Sequence, residues 1–158
     1  MKRRTLWVGA SAGGHMTQLL TLLKFSKDWP FTPVLYITTN EILVNKLSKI
    51  GKTINIGECN RLSILSIMKV FLRSIVIIFN RKIKKPDIII TTGSLPIAVF
   101  CLVAKLRKTK IIWIDSIANV DEISMSGKLM RHVADLFFVQ WRELSLKYPK
   151  TIYVGELL

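Results

Sequence analysis

Asp87-Ile88-Ile89-Ile90-Thr91, followed by Thr92-Gly93-Ser94-Leu95-Pro96, is the stretch on which the fold turns. Three consecutive isoleucines show no alternation of apolar and polar positions, so a strand here is covered on both faces, as strands of parallel sheets are. Ile111-Ile112-Trp113-Ile114 repeats the pattern. Working outward, short apolar runs at 4–9, 34–38, 53–56, 87–91, 110–114, 136–139 and 151–154 are separated by helix-like stretches. That order is the signature of parallel strands joined by crossover helices. No repeat, low-complexity tract or Pro/Gly/Ser-rich linker divides the chain. The expectation is therefore an α/β fold, a Rossmann-like doubly wound parallel sheet forming one domain over residues 1–158, with ligands bound beyond the carboxyl ends of the strands.

The composition narrows the partners. Half of the 158 residues are apolar, enough for a substantial core, and 24 Lys and Arg against 10 Asp and Glu give a formal net charge of +14. Such a balance calls for an anionic partner: a nucleic acid, an anionic membrane face or a phosphorylated substrate. A nucleic-acid binder shows basic and aromatic residues interleaved on one surface, which this sequence lacks, so no nucleic acid is expected. Cys59 and Cys101 lie far apart with no Cys/His cluster, which suggests neither a zinc site nor a disulfide scaffold and suits a reducing compartment. Met1-Lys2-Arg3-Arg4 resembles the start of a signal peptide, but the apolar run from Leu6 to Ala10 is too short for one, and no secretion is expected.

Unusual residues gather at the predicted strand ends. The first strand runs into Gly9-Ala10-Ser11-Ala12-Gly13-Gly14-His15 and then a helix carrying Leu19, Leu20, Leu22, Leu23 and Phe25. Adjacent glycines let the backbone approach a ligand, and free N–H groups at a helix start favour a phosphate or diphosphate. The alternative is a tight strand-to-helix turn with no ligand. There is no G-x-G-x-x-G for a dinucleotide and no Lys-Ser/Thr of a P-loop, so a nucleotide-binding oxidoreductase is not indicated. Two roles are open to His15: a donor to the phosphate or general base on a sugar hydroxyl, or a helix cap without chemistry. His132, beside Arg131, reads as a surface residue. Gly93 and Ser94 form a second small-residue turn that could meet the same ligand. Asp115, at the end of 110–114, is placed either to orient a sugar hydroxyl and take its proton or to serve as a turn acceptor. No Asp-x-Asp occurs, so no metal site is expected and any transfer would be metal-independent.

Residues 61–85, ended by Pro86, read as one long helix with Ser66, Lys69, Arg73, Asn80 and Lys84 on a narrow polar stripe. The apolar arc, including Phe71 and Phe79, is wider than one sheet contact consumes. Lying at a bilayer surface, with Lys69, Arg73, Arg81, Lys82, Lys84 and Lys85 facing anionic lipid, is the preferred reading. A transmembrane span would place Lys69 and Arg73 in hydrocarbon at about 2.5–3.5 kcal/mol each. Burial against the chain's own core or a partner is the third.

Three stretches together carry a family resemblance: Ser11-Ala12-Gly13-Gly14-His15; Trp113-Ile114-Asp115-Ser116-Ile117-Ala118-Asn119-Val120; and 124–128 leading to Ala134-Asp135-Leu136-Phe137-Phe138-Val139-Gln140-Trp141. With Lys147-Tyr148-Pro149-Lys150-Thr151-Ile152-Tyr153-Val154-Gly155 they span nearly the whole chain in order. The chain resembles the Alg14-like proteins, including bacterial capsule and exopolysaccharide subunits, and more distantly the N-terminal half of MurG-type GT-B glycosyltransferases.

That resemblance implies one subunit of an inverting hexosyltransferase, inactive alone. It would dock peripherally on the cytoplasmic face of the membrane and bind a polyprenyl-diphosphate-linked saccharide acceptor. An Alg13-like partner would hold the UDP-sugar donor, and no other cofactor is implied. The sequence stops at Glu156-Leu157-Leu158, where a single-chain GT-B enzyme would continue into its second domain. The acceptor diphosphate is expected at Ser11, Gly13, Gly14, His15, Thr17, Gly93, Ser94 and Asn119, with His15 or Asp115 as base. Many relatives carry Glu-Ser and Arg-Val where this chain has Asp115-Ser116 and Asn119-Val120. Recruitment of the partner without chemistry is the competing function.

Overall fold

The structure is a computed structural model that describes residues 4–157; Met1 to Arg3, part of the signal-like start, and Leu158, the final residue of the expected stop, lie outside the described residues. The chain runs β1 (Leu6–Gly9), α1 (Gly14–Leu23), a 3₁₀ turn (Ser26–Asp28), β2 (Pro33–Thr38), α2 (Glu41–Leu47), β3 (Thr53–Asn55) and α3 (Ile64–Phe79). It continues through β4 (Ile88–Thr91), α4 (Leu95–Lys105), β5 (Lys110–Ile114), α5 (Met125–Met130), β6 (Leu136–Val139), α6 (Arg142–Lys147) and β7 (Ile152–Tyr153). All seven strands form one sheet in the order β3-β2-β1-β4-β5-β6-β7, and every pairing is parallel. Strand order reverses direction between β1 and β4, which puts the crevice of a doubly wound sheet at their carboxyl ends.

The isoleucine runs do what their lack of alternation requires. Ile89 and Ile111 are buried with Trp7, Trp113 and Phe137 against α3 and α4, while Ile88 and Ile90 pack on the other face with Leu6, Val8, Met16 and Leu19. Trp7 stacks on Phe100 and Trp113 on Phe137, at centroid separations of 6.3 and 6.4 Å. α4 is apolar all round and correspondingly buried over most of its length. Both cysteines are free; burial pushes the Cys101 thiol up to about 12, which leaves it chemically inert.

One part of the sheet is left bare. Ile112 pairs with Leu136 and Phe138 with Ile152, so these four side chains share one face. Ile112 and Phe138 are only half-buried, and Leu136 and Ile152 are 42% and 44% exposed.

The long helix is shorter than its sequence suggests. Ser63 caps α3 by accepting a hydrogen bond from the Ser66 N–H, and the helix ends at Phe79 because Asn80 is extended and its side chain accepts from the Lys82 N–H instead. Asn80 and Lys84 therefore do not extend the helical polar stripe, and Arg81, Lys82, Lys84 and Lys85 lie in the turn and loop that precede β4. Within α3, Val70, Ser74 and Ile78 face the core, while Leu65, Leu72 and Val76 are 77%, 54% and 68% exposed, flanked by exposed Lys69 and Arg73. Phe71, Phe79 and Met68 continue that outward apolar face. Among the described residues no helix is long and apolar enough to cross a membrane.

Candidate acceptor cleft at the strand carboxyl ends

A cavity of about 680 Å³ opens at the carboxyl ends of the strands, lined by Ser11, Ala12, His15, Thr39, Ser94, Asn119 and Ser124 together with residues 58, 59, 61, 95, 96, 125, 126 and 129. Of the residues singled out from sequence, Ser11, His15, Ser94 and Asn119 meet in this wall.

The β1–α1 turn supplies one side. Gly13 has φ +83° and ψ −144°, a conformation that L side chains rarely adopt, and no side chain caps the helix it starts. A Cβ at Gly13 or Gly14 would meet nothing within 4 Å, so open space stands before the turn. The first N–H groups of α1 have no intrahelical acceptor and carry the positive end of its dipole. Thr17 is one turn further along, exposed, and its hydroxyl donates back to the Gly13 carbonyl at 3.4 Å, outside the cavity lining.

His15 is clamped by Thr92, the residue that follows β4. Its Nδ1–H donates to the Thr92 carbonyl at 2.7 Å, and the Thr92 hydroxyl donates to the His15 carbonyl at 2.6 Å. The carbonyl can only accept, so Nδ1 carries a proton, and in the neutral ring it is Nε2 that holds the lone pair a general base needs. His15 therefore does not cap its helix; the ring is oriented by the neighbouring strand. Gly93, at φ +100°, makes this possible, since a Cβ there would stand 3.1 Å from the Trp113 ring and 3.5 Å from His15 Cε1.

Ser94 begins α4 at φ +114° and ψ +161°, a region populated almost solely by glycine. Its hydroxyl is shielded from solvent and has no hydrogen-bond partner. Pro96 sits in the first turn behind it, and the start of α4 at Leu95, whose N–H has no intrahelical acceptor, presents a second positive helix end to the same cavity.

Of the two roles open to Asp115, the structure shows the turn acceptor, with the carboxylate turned inward and outside the cavity lining. It is 1% exposed, and its two oxygens accept four hydrogen bonds. Oδ1 takes the Ser124 hydroxyl at 2.6 Å and Trp113 Nε1 at 3.3 Å; Oδ2 takes the Ser124 N–H at 2.8 Å and Asn119 Nδ2 at 3.3 Å. A carboxylate offers about four lone-pair sites, and all are occupied. The carboxylate folds the loop 116–124 and hands Ser124 to the start of α5, where its hydroxyl accepts from the Gly127 N–H. Beneath it, Gln140 joins Gln18 and the Asp115 carbonyl through bonds of 2.8 Å, locking α1 to β5 and β6.

Sequence reasoning missed Thr39, Glu58, Arg61, Ser124 and Ser126. A helix over 61–85 would include Arg61, but Ser63 caps α3 before the apolar run and leaves Arg61 in the loop over the cavity. Its Nη1 rests 3.1 Å from the Met125 sulfur.

Residues 39–157 match the family described as "Oligosaccharide biosynthesis protein Alg14 like". The UDP-N-acetylglucosamine transferase subunit ALG14 of Homo sapiens is 27% identical over 98% of this chain and 83% of its own length, and that of Schizosaccharomyces pombe 29% identical over 97% and 83%. The Mus musculus subunit is 39% identical over a shorter match, 47% of this chain and 37% of that protein. Among solved structures, MurG of Acinetobacter baumannii superposes with a TM-score of 0.74 at 12% identity, over 96% of this chain and 45% of that one. The UDP-GlcNAc 2-epimerase of Methanocaldococcus jannaschii gives 0.68 at 16%, over 96% and 45%. The fold is that of a GT-B glycosyltransferase domain, and the chain spans less than half of these solved structures.

Proposed function

The chain belongs to the Alg14-like family of oligosaccharide biosynthesis proteins, and from that premise we propose that it is the acceptor-binding subunit of a two-chain glycosyltransferase. The reaction moves N-acetylglucosamine from UDP to a polyprenyl-diphosphate-linked saccharide. The sugar follows the names of the ALG14 relatives, and the family's description as oligosaccharide biosynthesis favours that product over capsule or exopolysaccharide.

The observation that carries the reading is the convergence of two uncapped helix starts, α1 and α4, on one cavity that also holds His15 and the unpartnered Ser94 hydroxyl. Two positive helix ends with free N–H groups suit the two phosphates of the acceptor, and Arg61 adds a full charge at the rim. His15 Nε2 accepts the proton of the acceptor hydroxyl as its oxygen attacks the anomeric carbon of the donor. The bond from that carbon to the diphosphate breaks on the opposite side, and UDP leaves with the electron pair, so the anomeric configuration inverts. The charge on the acceptor diphosphate is met by backbone dipoles, in a metal-independent reaction. Asp115 serves as the brace of the cavity wall.

The UDP-sugar is bound mainly by an Alg13-like partner. The bare strip Ile112, Leu136, Phe138 and Ile152 is apolar sheet surface of the kind that a second chain covers. The outward face of α3, apolar with Lys69 and Arg73 at its edge, lies on the cytoplasmic leaflet and sets the cavity mouth at the level of lipid headgroups.

The test is transfer from radiolabelled UDP-N-acetylglucosamine to a short-chain polyprenyl-diphosphate saccharide by this chain, the partner and their mixture. Activity confined to the mixture, and lowered at least 100-fold by His15→Gln without loss of complex, is expected. Full activity with His15→Gln would leave the chain as an anchor that recruits the partner without chemistry.

A further inference from the structure

A second cavity, of about 430 Å³, lies at the opposite end of the sheet, where Thr5, Thr32 and Lys52 precede β1, β2 and β3, and Lys82 and Lys84 precede β4. Its wall holds four cations, Arg4, Lys52, Lys82 and Lys84, and no carboxylate. None of the four makes an ion pair among the described residues. Two further groups in the wall are deeply buried and unpartnered: the Thr5 hydroxyl and the Trp7 indole N–H, in side chains whose residues are 2% and 1% exposed. The Thr5 backbone N–H is satisfied by Asp87 Oδ2 at 2.7 Å, so the missing partner is specific to the side chain.

Lysine, arginine and indole N–H groups can only donate, and a threonine hydroxyl can do so as well. A buried donor without an acceptor is rare in a folded chain unless an ordered water, an ion or a ligand meets it. The occupant that suits this wall is an acceptor-only group of high negative charge. Val34, Leu35 and Ile83 complete the lining, which gives room for an apolar portion beside the charge.

We propose that this cavity is a second anion site, separate from the acceptor cleft, that takes a phosphate-bearing ligand against Trp7 and Thr5. The anion site itself is independent of the transferase reading, and only its headgroup source rests on the docking of α3 at the membrane proposed above. Two sources share this chemistry, free phosphate and the headgroup of a phospholipid; the second is within reach because Lys82 and Lys84 follow directly on the end of α3.

The chain has four tryptophans, and the indole N–H groups of Trp113 and Trp141 are held by Asp115 and the Ile117 carbonyl. In ¹H–¹⁵N spectra of the full chain, the Trp7 indole signal, assigned by triple resonance and checked with Trp7→Phe, should move saturably on titration. The probes are inorganic phosphate and dihexanoyl phosphatidate below its micelle concentration, against chloride at equal ionic strength. Movement with both probes marks a free-phosphate site, and movement with phosphatidate alone a headgroup site. The double variant Lys52→Ala/Lys84→Ala should weaken the Kd at least tenfold, and Lys150→Ala, remote from the cavity, should leave it unchanged. A Trp7 signal still under both probes, or one that moves as readily in a folded Lys52/Lys84 variant, overturns the proposal.

Discussion

Replacing Asp115 by Asn separates architecture from chemistry at the cavity wall. The carboxylate accepts four hydrogen bonds at 1% exposure, and the amide can accept at only one of its two positions. With Nδ2 in the Oδ2 position it meets the Ser124 N–H, which cannot turn away. In the Oδ1 position the Ser124 hydroxyl can rotate, but the Trp113 N–H is left buried and unpaired. One unpaired buried donor costs about 1–3 kcal/mol, and the bonds that survive lose their charge assistance, about 1 kcal/mol more. Asp115→Asn should therefore lower the unfolding free energy by about 3 kcal/mol. For a chain of this size that lowers Tm by roughly 6–12 °C. Urea titration followed by far-UV circular dichroism on the chain alone measures it, with no substrate or partner present. A change under about 0.5 kcal/mol together with abolished sugar transfer would refute the reasoning and return Asp115 to the role of base. Asp115→Glu should also destabilise, because a Cβ on Gly127 would already stand 2.7 Å from Oδ1 and the loop has no room for another methylene.

Ser94→Gly relieves a conformation that glycine tolerates, and should raise stability by about 1 kcal/mol while lowering transfer activity, read by thermal melting and assay of the same preparation. Gly14→Ala adds a methyl in open space at a helix start, so stability should change by less than about 0.5 kcal/mol while the KM for the diphosphate acceptor rises. Leu65→Glu with Leu72→Glu, on the exposed face of α3, should leave the melting temperature in place and abolish cosedimentation with anionic vesicles. Burial raises the Asp135 pKa, but hydrogen bonds from Lys105, Lys110 and the Ile111 N–H outweigh it and hold the carboxyl at about 2, below its ordinary 3.8. A depressed carboxylate stabilises fully above its unfolded pKa and loses that contribution as pH falls. With Lys110 well exposed and screened, about 1 kcal/mol should disappear between pH 4 and 2, and Asp135→Asn should abolish that loss.

The sheet was legible because buried parallel strands leave a trace: Ile88-Ile89-Ile90 and Ile111-Ile112-Trp113-Ile114 have polar positions on neither face, and the shorter, more polar strands such as Thr53–Asn55 fall at the spacing these two set. The ends of α3 were less legible. Ser63 and Asn80 decide them through hydrogen bonds to their own backbone, and against a long apolar run these two polar residues look incidental. Ser11, His15, Ser94 and Asn119 could be placed at one cleft because strand ends in a doubly wound sheet converge. For Asp115 the sequence left turn acceptor and base both open, because the choice depends on Ser124, nine residues away across a loop without regular structure. The second cavity was hidden for a similar reason: Arg4, Lys52, Lys82 and Lys84 look like scattered surface charge until the amino-terminal ends of the strands are brought side by side.

The bare strip across β5, β6 and β7 bears on how a cell must make this protein. Four apolar side chains in register on a finished sheet are a sticky patch from the moment synthesis ends, and an unpaired copy is exposed to chaperones, proteases and its own kind. In the proposed two-chain enzyme, supply of the covering chain would set the lifetime of this one, and clearance of surplus copies would hold the two chains at matched amounts.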